Sequence, residues 1–156
     1  VTRVALPELR ERLVWVPAPG TEHGLYARIC RPASLVPARV VVINHGSPGP
    51  HTERAQMQPA GCDSEAVQWF LARGFMVILP MRRGFGATGG VMAETSGPCE
   101  TPDYVGAGLA GAQDIAAAVD YATALPDAQP GHAVVVGQSL GGWGVVAYDS
   151  LPHPRV

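Results

Sequence analysis

Val40-Val41-Val42-Ile43 is an unbroken β-branched run that stops at Asn44-His45-Gly46. Apolar side chains on consecutive positions suit a strand covered on both faces, as in a parallel sheet. Phe75 to Pro80 and His132 to Val136 read the same way. Helical spacing alternates with these runs. Ala66, Val67, Phe70 and Leu71 follow Asp63 or Ser64 as the capping residue and precede Gly74 as a stop. Leu109, Ala112, Ile115, Ala116 and Val119 place a second apolar stripe on a helix from about Gly106 to Ala124. A third helix is expected through Trp143, Val146 and Ala147 to about Asp149. Arg12 to Val16 and Leu25 to Arg31, parted by Pro17 to Gly24, predict two antiparallel strands forming an edge hairpin. The order is β-β-β-α-β-α-β-α, and its alternating part implies a parallel sheet with helices on both faces.

The Pro- and Gly-rich stretches fall between periodic segments, and nothing repeats in tandem, so residues 1–156 read as a single domain. At 47% hydrophobic and 15% charged the chain can bury a core and is too apolar to be disordered. The net charge of −2, with no block of like charges, argues against nucleic acid or an acidic membrane as partner, since either needs a concentrated cationic surface. No apolar run approaches the ~20 residues that span a bilayer. All 11 basic residues are Arg, which excludes a P-loop lysine, a Schiff-base lysine and a Ser-x-x-Lys site. The start Val1-Thr2-Arg3 fits a processed mature chain or a trimmed one equally.

Cys30, Cys62 and Cys99 allow one disulfide at most and match no metal-ligand spacing, so no metal is expected. Cys30 sits in a strand-like segment and reads as a small buried hydrophobe. Cys62 and Cys99 lie in Gly/Pro-rich loops and form the candidate bridge. Such a bridge would favour a secreted or periplasmic setting, and its absence a cytoplasmic one.

The segment with the most chemical content is Val136-Gly137-Gln138-Ser139-Leu140-Gly141, a Gly-x-Ser-x-Gly pattern between a buried strand and a helix. That context gives the pentapeptide its meaning: a serine on a tight strand-to-helix turn is pushed out above the sheet's C-terminal edge. The glycines are needed because a Cβ at either would strike the neighbouring strand or helix. The N–H of Leu140, opening the helix, faces the same point and can hold an oxyanion. Ser139 is therefore the candidate nucleophile. The bland alternative is a Gly-rich turn with an incidental serine.

With these residues in place, the chain resembles the N-terminal part of an α/β-hydrolase, nearest the dienelactone-hydrolase-like and prolyl-oligopeptidase-like branch. Two further segments carry the likeness. His45-Gly46-Ser47-Pro48-Gly49 resembles the loop that supplies the family's second oxyanion donor, which implies the N–H of Ser47. Arg82-Arg83-Gly84-Phe85-Gly86-Ala87-Thr88-Gly89 is similar to the family's Arg-Gly-x-Gly-x-Ser-x-Gly loop. The resemblance implies an α/β-hydrolase fold: a mostly parallel sheet with helices on both faces, an N-terminal antiparallel hairpin, and further C-terminal strands outside this chain. Dienelactone hydrolase itself has cysteine where Ser139 stands, so its lactone substrate does not carry over.

Gly84-x-Gly86-x-x-Gly89 also fits a dinucleotide fingerprint, but Ser96-Gly97-Pro98 opens no helix to receive a pyrophosphate, so no NAD, FAD or other cofactor is expected. Arg82 and Arg83 read as loop-fixing residues. His45 reads as shaping its loop, and with Gln138 and Trp143 it is a candidate for lining the substrate pocket, although Trp143 also suits core packing.

A base for Ser139 is harder to find. The family order is serine, acid, histidine, each after a later strand. Only 17 residues follow Ser139, among them Asp149 and His153. Asp149 is ten residues along the same helix, about 15 Å away at 1.5 Å per residue, whereas a base must come within ~3 Å. Both read as surface residues. His132 precedes its strand at the opposite edge, and His23 lies in the hairpin turn. His51, after the third strand, is the one alternative base at the correct edge. The expectation is a serine hydrolase cleaving carboxylic esters, inactive as an isolated chain and completed by a second polypeptide or C-terminal fragment that covers the sheet edge and supplies acid and histidine. A serine peptidase of the same fold, and a non-catalytic α/β binding domain, are the alternatives.

Overall fold

The computed structural model describes residues 10–33, 37–152 and 154–156. Five strands form one sheet: β1 Glu11–Val16, β2 Leu25–Cys30, β3 Ala38–Asn44, β4 Phe75–Pro80 and β5 Ala128–Gly137, in the order β1-β2-β4-β3-β5. Among the described residues four helices accompany them: α1 His51–Ala55, α2 Glu65–Leu71, α3 Tyr104–Thr123 and α4 Leu140–Asp149. A 3₁₀ turn lies at Gly86–Thr88.

The chain is α/β, but the expected mostly parallel sheet of an α/β-hydrolase fold is not what forms. β3 runs parallel to β4 and to β5, while β1 pairs antiparallel with β2 and β2 antiparallel with β4. The sheet is therefore mixed, and the α/β-hydrolase assignment of the fold is withdrawn. The physical reason lies in the connections. Strands joined through helices return parallel, whereas the short turn at residues 17–24 forces β2 back along β1. β2 is then an interior strand, with Ala27 to Cys30 opposite Pro80 to Val77, so only β1 of the hairpin is at the edge.

Consecutive residues of β3 serve two cores, as a run apolar at every position requires. Val40 and Val42 join Met76 and Ile78 beneath Ala112, Ile115, Ala118, Val119 and Ala122 of α3. Val41 joins Val77, Leu79 and Val67 of α2 on the other face. The buried side of α3 is broader than the predicted stripe and made mostly of small residues, Ala107, Gly108, Gly111, Ala112, Ala118 and Ala122 among them, while Leu109 stands 36% exposed. Small residues dominate it because α4 comes close: a Cβ at Gly144 would lie 3.0 Å from Ile115 Cδ1. β5 begins at Ala128, four residues before the predicted start, so His132 lies within the strand rather than ahead of it. His153 lies outside the described residues.

The predicted Cys62–Cys99 bridge does not form. Cys62 is bonded to Cys30, and Cys99 is free and exposed. Cys30 ends β2 opposite Val77, on the face that α2 covers through Val67, so the chain entering α2 at Cys62 passes directly over it. Loop composition could not reveal that packing. Among the described residues no helix is long and apolar enough to cross a membrane, and no group of His, Cys, Asp and Glu gathers that could hold a metal.

The bridge closes a separation of 32 residues, for which loop-closure entropy predicts stabilisation of about 3 to 4 kcal/mol. Cys62→Ser or reduction is expected to lower the urea midpoint accordingly, while Cys99→Ser leaves it unchanged. Alkylation of the unreduced native protein should modify Cys99 alone.

Candidate active site at the end of β5

The site is assembled by two neighbouring parallel strands that end level with each other. Asn44 is opposite Gly137, and the Gln138 N–H donates to the Asn44 carbonyl at 3.1 Å. The Asn44 side chain repeats the link, its Nδ2 donating to the Val136 carbonyl at 3.1 Å. The loops that follow, His45-Gly46-Ser47 and Gln138-Ser139-Leu140, therefore leave the same edge side by side. A Cβ at Gly46 would sit 3.2 Å from Ser139 Cβ.

Ser139 occupies the corner between β5 and α4 at φ 51°, ψ −120°. Among the described residues it is the one non-glycine with positive φ. An L-residue held there costs ~1–3 kcal/mol, which the surrounding packing must impose. Two glycines impose it. A Cβ at Gly137 would lie 2.3 Å from the Gly141 carbonyl oxygen, and one at Gly141 would lie 2.4 Å from the His45 oxygen and 2.6 Å from that of Asn44. All of these are backbone atoms with no room to yield. The first turn of α4 is thus pressed onto the end of β3. The Ser139 side chain makes no capping bond to α4, and the residue is exposed. Its hydroxyl is left at the mouth of the turn, beside the partnerless N–H groups that begin a helix.

His45 is committed elsewhere. The Arg82 backbone N–H donates to its Nε2 at 3.2 Å, which leaves Nδ1 to carry the proton and donate to the Gly46 carbonyl at 2.7 Å. The ring also packs edge-on against buried Phe85, with centroids 4.6 Å apart. Burial, and then the Arg82 guanidinium, hold its pKa down to about 3, against a smaller upward pull from the Gly46 bond. A ring so engaged cannot take a proton from Ser139 at neutral pH. It does fix the Gly46–Ser47 peptide. Because a trans peptide sets its C=O and N–H on opposite sides, holding the Gly46 oxygen toward the ring leaves the Ser47 N–H facing away from it. Neither that N–H nor the Leu140 N–H has a hydrogen-bond partner among the described residues.

The other predicted residues separate into two hollows flanking the turn. One, of about 440 Å³, is lined by His45 and Gln138 together with Ile43, Val67 and Val136. The second, of about 460 Å³, contains Ser139, Leu140 and Trp143. Trp143 is 42% exposed rather than a core residue, and its indole N–H donates to the Tyr104 carbonyl at 2.7 Å. His51 opens α1, is exposed and lines neither hollow. His132 bonds the Val156 carbonyl with Nδ1 at 3.0 Å, seven residues or about 23 Å of strand from Ser139. His23 contacts Trp15 in the hairpin turn, and Asp149 ends α4, exposed.

Four residues of the Ser139 hollow escaped sequence reasoning: Glu94, Ser96, Tyr104 and Ala107. Glu94 is 3% exposed and grips fully buried Arg82, which donates from Nε to Oε1 and from Nη2 to Oε2. The same Nη2 reaches the His45 carbonyl at 2.8 Å. Next in sequence, the Arg83 backbone N–H and Nε both meet buried Asp114 of α3 at 2.9 Å. Burial pushes both carboxyls above the ordinary range, and the arginines oppose it. Arg82 and Arg83 thus act as fasteners between the β4 loop, the β3 loop and α3. The signal for Glu94 was slight, an acid in an aperiodic Gly/Ser/Pro loop, and its partner lies 12 residues back.

The chain matches no protein-family model and no curated protein.

A folded-state pKa near 3 for His45 against 6.5 for an ordinary imidazole means that the unfolded chain takes up the proton first. The contribution to stability is complete above about pH 6.5 and is withdrawn as pH falls toward about 3. Urea unfolding at pH 7 and pH 4.5 should therefore show a smaller loss on acidification for His45→Gln than for the native chain; equal losses would show that burial does not hold the ring neutral. At constant pH, Gly141→Ala is expected to destabilise by about 1–3 kcal/mol or more, since the new methyl meets backbone.

Proposed function

We propose that this chain carries the nucleophile of a serine hydrolase that cleaves carboxylic esters through an acyl-enzyme on Ser139. The observation that carries the reading is the backbone of Ser139. A non-glycine is held at positive φ by two close glycine contacts, and its exposed hydroxyl is left uncommitted beside the start of α4. Strain of this kind persists only where the surroundings enforce it, and it clusters at reactive positions.

In the proposed reaction the Ser139 oxygen attacks the ester carbonyl and its proton passes to a histidine. The Leu140 and Ser47 N–H groups hold the oxyanion, the alcohol leaves with the proton, and water then releases the acid and frees the serine. Of the described histidines only His45 lines either hollow, and its two nitrogens are already engaged. The base and its acid partner are therefore assigned to a segment other than these 156 residues, on this polypeptide or another. His45 keeps a positioning role through the Gly46 carbonyl.

A fluorophosphonate applied to a native-source extract is expected to modify this chain, with the adduct mapped to Ser139 by mass spectrometry and abolished in Ser139→Ala. Absence of that adduct would refute a serine nucleophile. The purified 156-residue chain should hydrolyse activated esters negligibly; full Ser139-dependent turnover would instead require a base within the chain, with His51 first to test.

A further inference from the structure

The hollow beside Ser139 has a chemical character of its own. Tyr104 and Trp143 supply aromatic surface, Ala107 an apolar patch, Ser96 a neutral hydroxyl, and Ser139 with Leu140 one end. The Trp143 N–H is spent on the Tyr104 carbonyl, so the indole offers its ring rather than a donor. That bond also ties the indole of α4 to the backbone at the start of α3. The charged side chain lining the hollow is Glu94, and it is not mobile: Arg82 holds both its oxygens in a fork. Each carboxylate oxygen has two acceptor sites and the fork uses one on each, so acceptor capacity remains. Arg82 spends Nε and Nη2 on Glu94 and the His45 carbonyl, its Nη1 is buried without a hydrogen-bond partner, and Arg82 does not line the hollow.

Resting on the serine-hydrolase reading, we infer that this hollow is the acyl-group subsite and that Glu94 sets its specificity. It takes an acyl group bearing a flat ring that ends in a hydrogen-bond donor, a hydroxyl or an ammonium, and it rejects one that ends in a carboxylate. The volume of about 460 Å³ is in the range of small-ligand pockets and admits a substituted phenyl ring. Aromatic walls favour a ring over an aliphatic chain of equal size. A donor meeting a pre-held carboxylate gains a charge-assisted bond with no side chain to order. A carboxylate there would face Glu94 with no cationic side chain lining the hollow to receive it, and like charges in a partly dry site repel strongly.

The test uses the full chain as Ser139→Ala, which keeps the hollow and removes the chemistry. Phenylacetamide and its para-hydroxy, para-aminomethyl and para-carboxy derivatives are titrated against the indole N–H resonance of Trp143, assigned through Trp143→Phe. The hydroxy and aminomethyl probes should bind about tenfold tighter than the parent, as a hydrogen bond to a charged acceptor predicts, and the carboxy probe weakest of the four. Equal affinities, or tightest binding by the carboxy probe, would overturn the inference. Glu94→Gln should flatten the order; because it leaves Arg82 buried without a counter-charge and can unfold the chain, the order in Ser139→Ala alone is decisive. Trp143→Leu should weaken all four probes together. Ser139 labelling with a flat probe order would sink the subsite and leave the hydrolase. The predicted order without labelling would sink the hydrolase and leave a binding pocket for ring-bearing donors.

Discussion

The contact on which the rest depends is between backbones: the first turn of α4 lies against the last carbonyls of β3. Gly141 has no side chain, and the Asn44 and His45 oxygens fill the space where one would be. Parallel pairing of β3 with β5 brings these segments level, and the hydrogen bonds from Gln138 and Asn44 fix them there. Once α4 is seated, the connecting residue has no relaxed conformation available, and Ser139 takes positive φ. A strained serine and an adjacent loop with a free N–H are thus products of one packing event. Any change that lifts α4 by the width of a methyl group would relax the serine and separate the two loops together.

A second layer of interactions keeps the β3 loop in place, and it is made of buried charge. Arg82 and Glu94 are both almost free of solvent, and each would be costly alone. Together they join the β4 loop to the segment that passes over α3, and through the His45 carbonyl they reach the loop beside Ser139. A buried ion pair contributes little net stability compared with well-packed apolar residues, but its geometry is directional. Here direction matters, because the guanidinium fork determines where the Glu94 oxygens sit and which face they show the hollow. The arginines that read as loop fasteners thereby hold the group proposed to select substrate.

The two faces of the sheet are stabilised differently. α3 and α4 cover one through close approach of small residues, Gly108, Gly111, Ala112 and Gly144 among them. α2 covers the other with only seven residues and one fully buried side chain, Val67. The Cys30–Cys62 bond anchors the start of that short helix to β2. A face with so little apolar area gains most from a covalent tie, whereas the α3 face has contact enough without one.

What the sequence determined by itself was local. β-branched runs covered on both faces, capped amphipathic stretches and a Gly-x-Ser-x-Gly turn between them are set by spacings of a few residues. They marked every strand and the three longer helices to within a few positions. They also marked the turn at 137–141, because steric conflict at Gly137 and Gly141 follows from a tight strand-to-helix corner. What only the tertiary structure decided were the partners of groups far apart along the chain. Composition could not tell that Cys62 meets Cys30 rather than Cys99, that β2 lies antiparallel against β4 and makes the sheet mixed, or that Glu94 faces Arg82 inside the hollow of Ser139. The state of His45 was equally hidden, since an imidazole is held neutral by what buries it, and here that is Phe85 and the Arg82 loop. Local preference acts over one or two turns of chain; disulfide partners, ion pairs and proton affinities depend on distances that exist only after the sheet has closed.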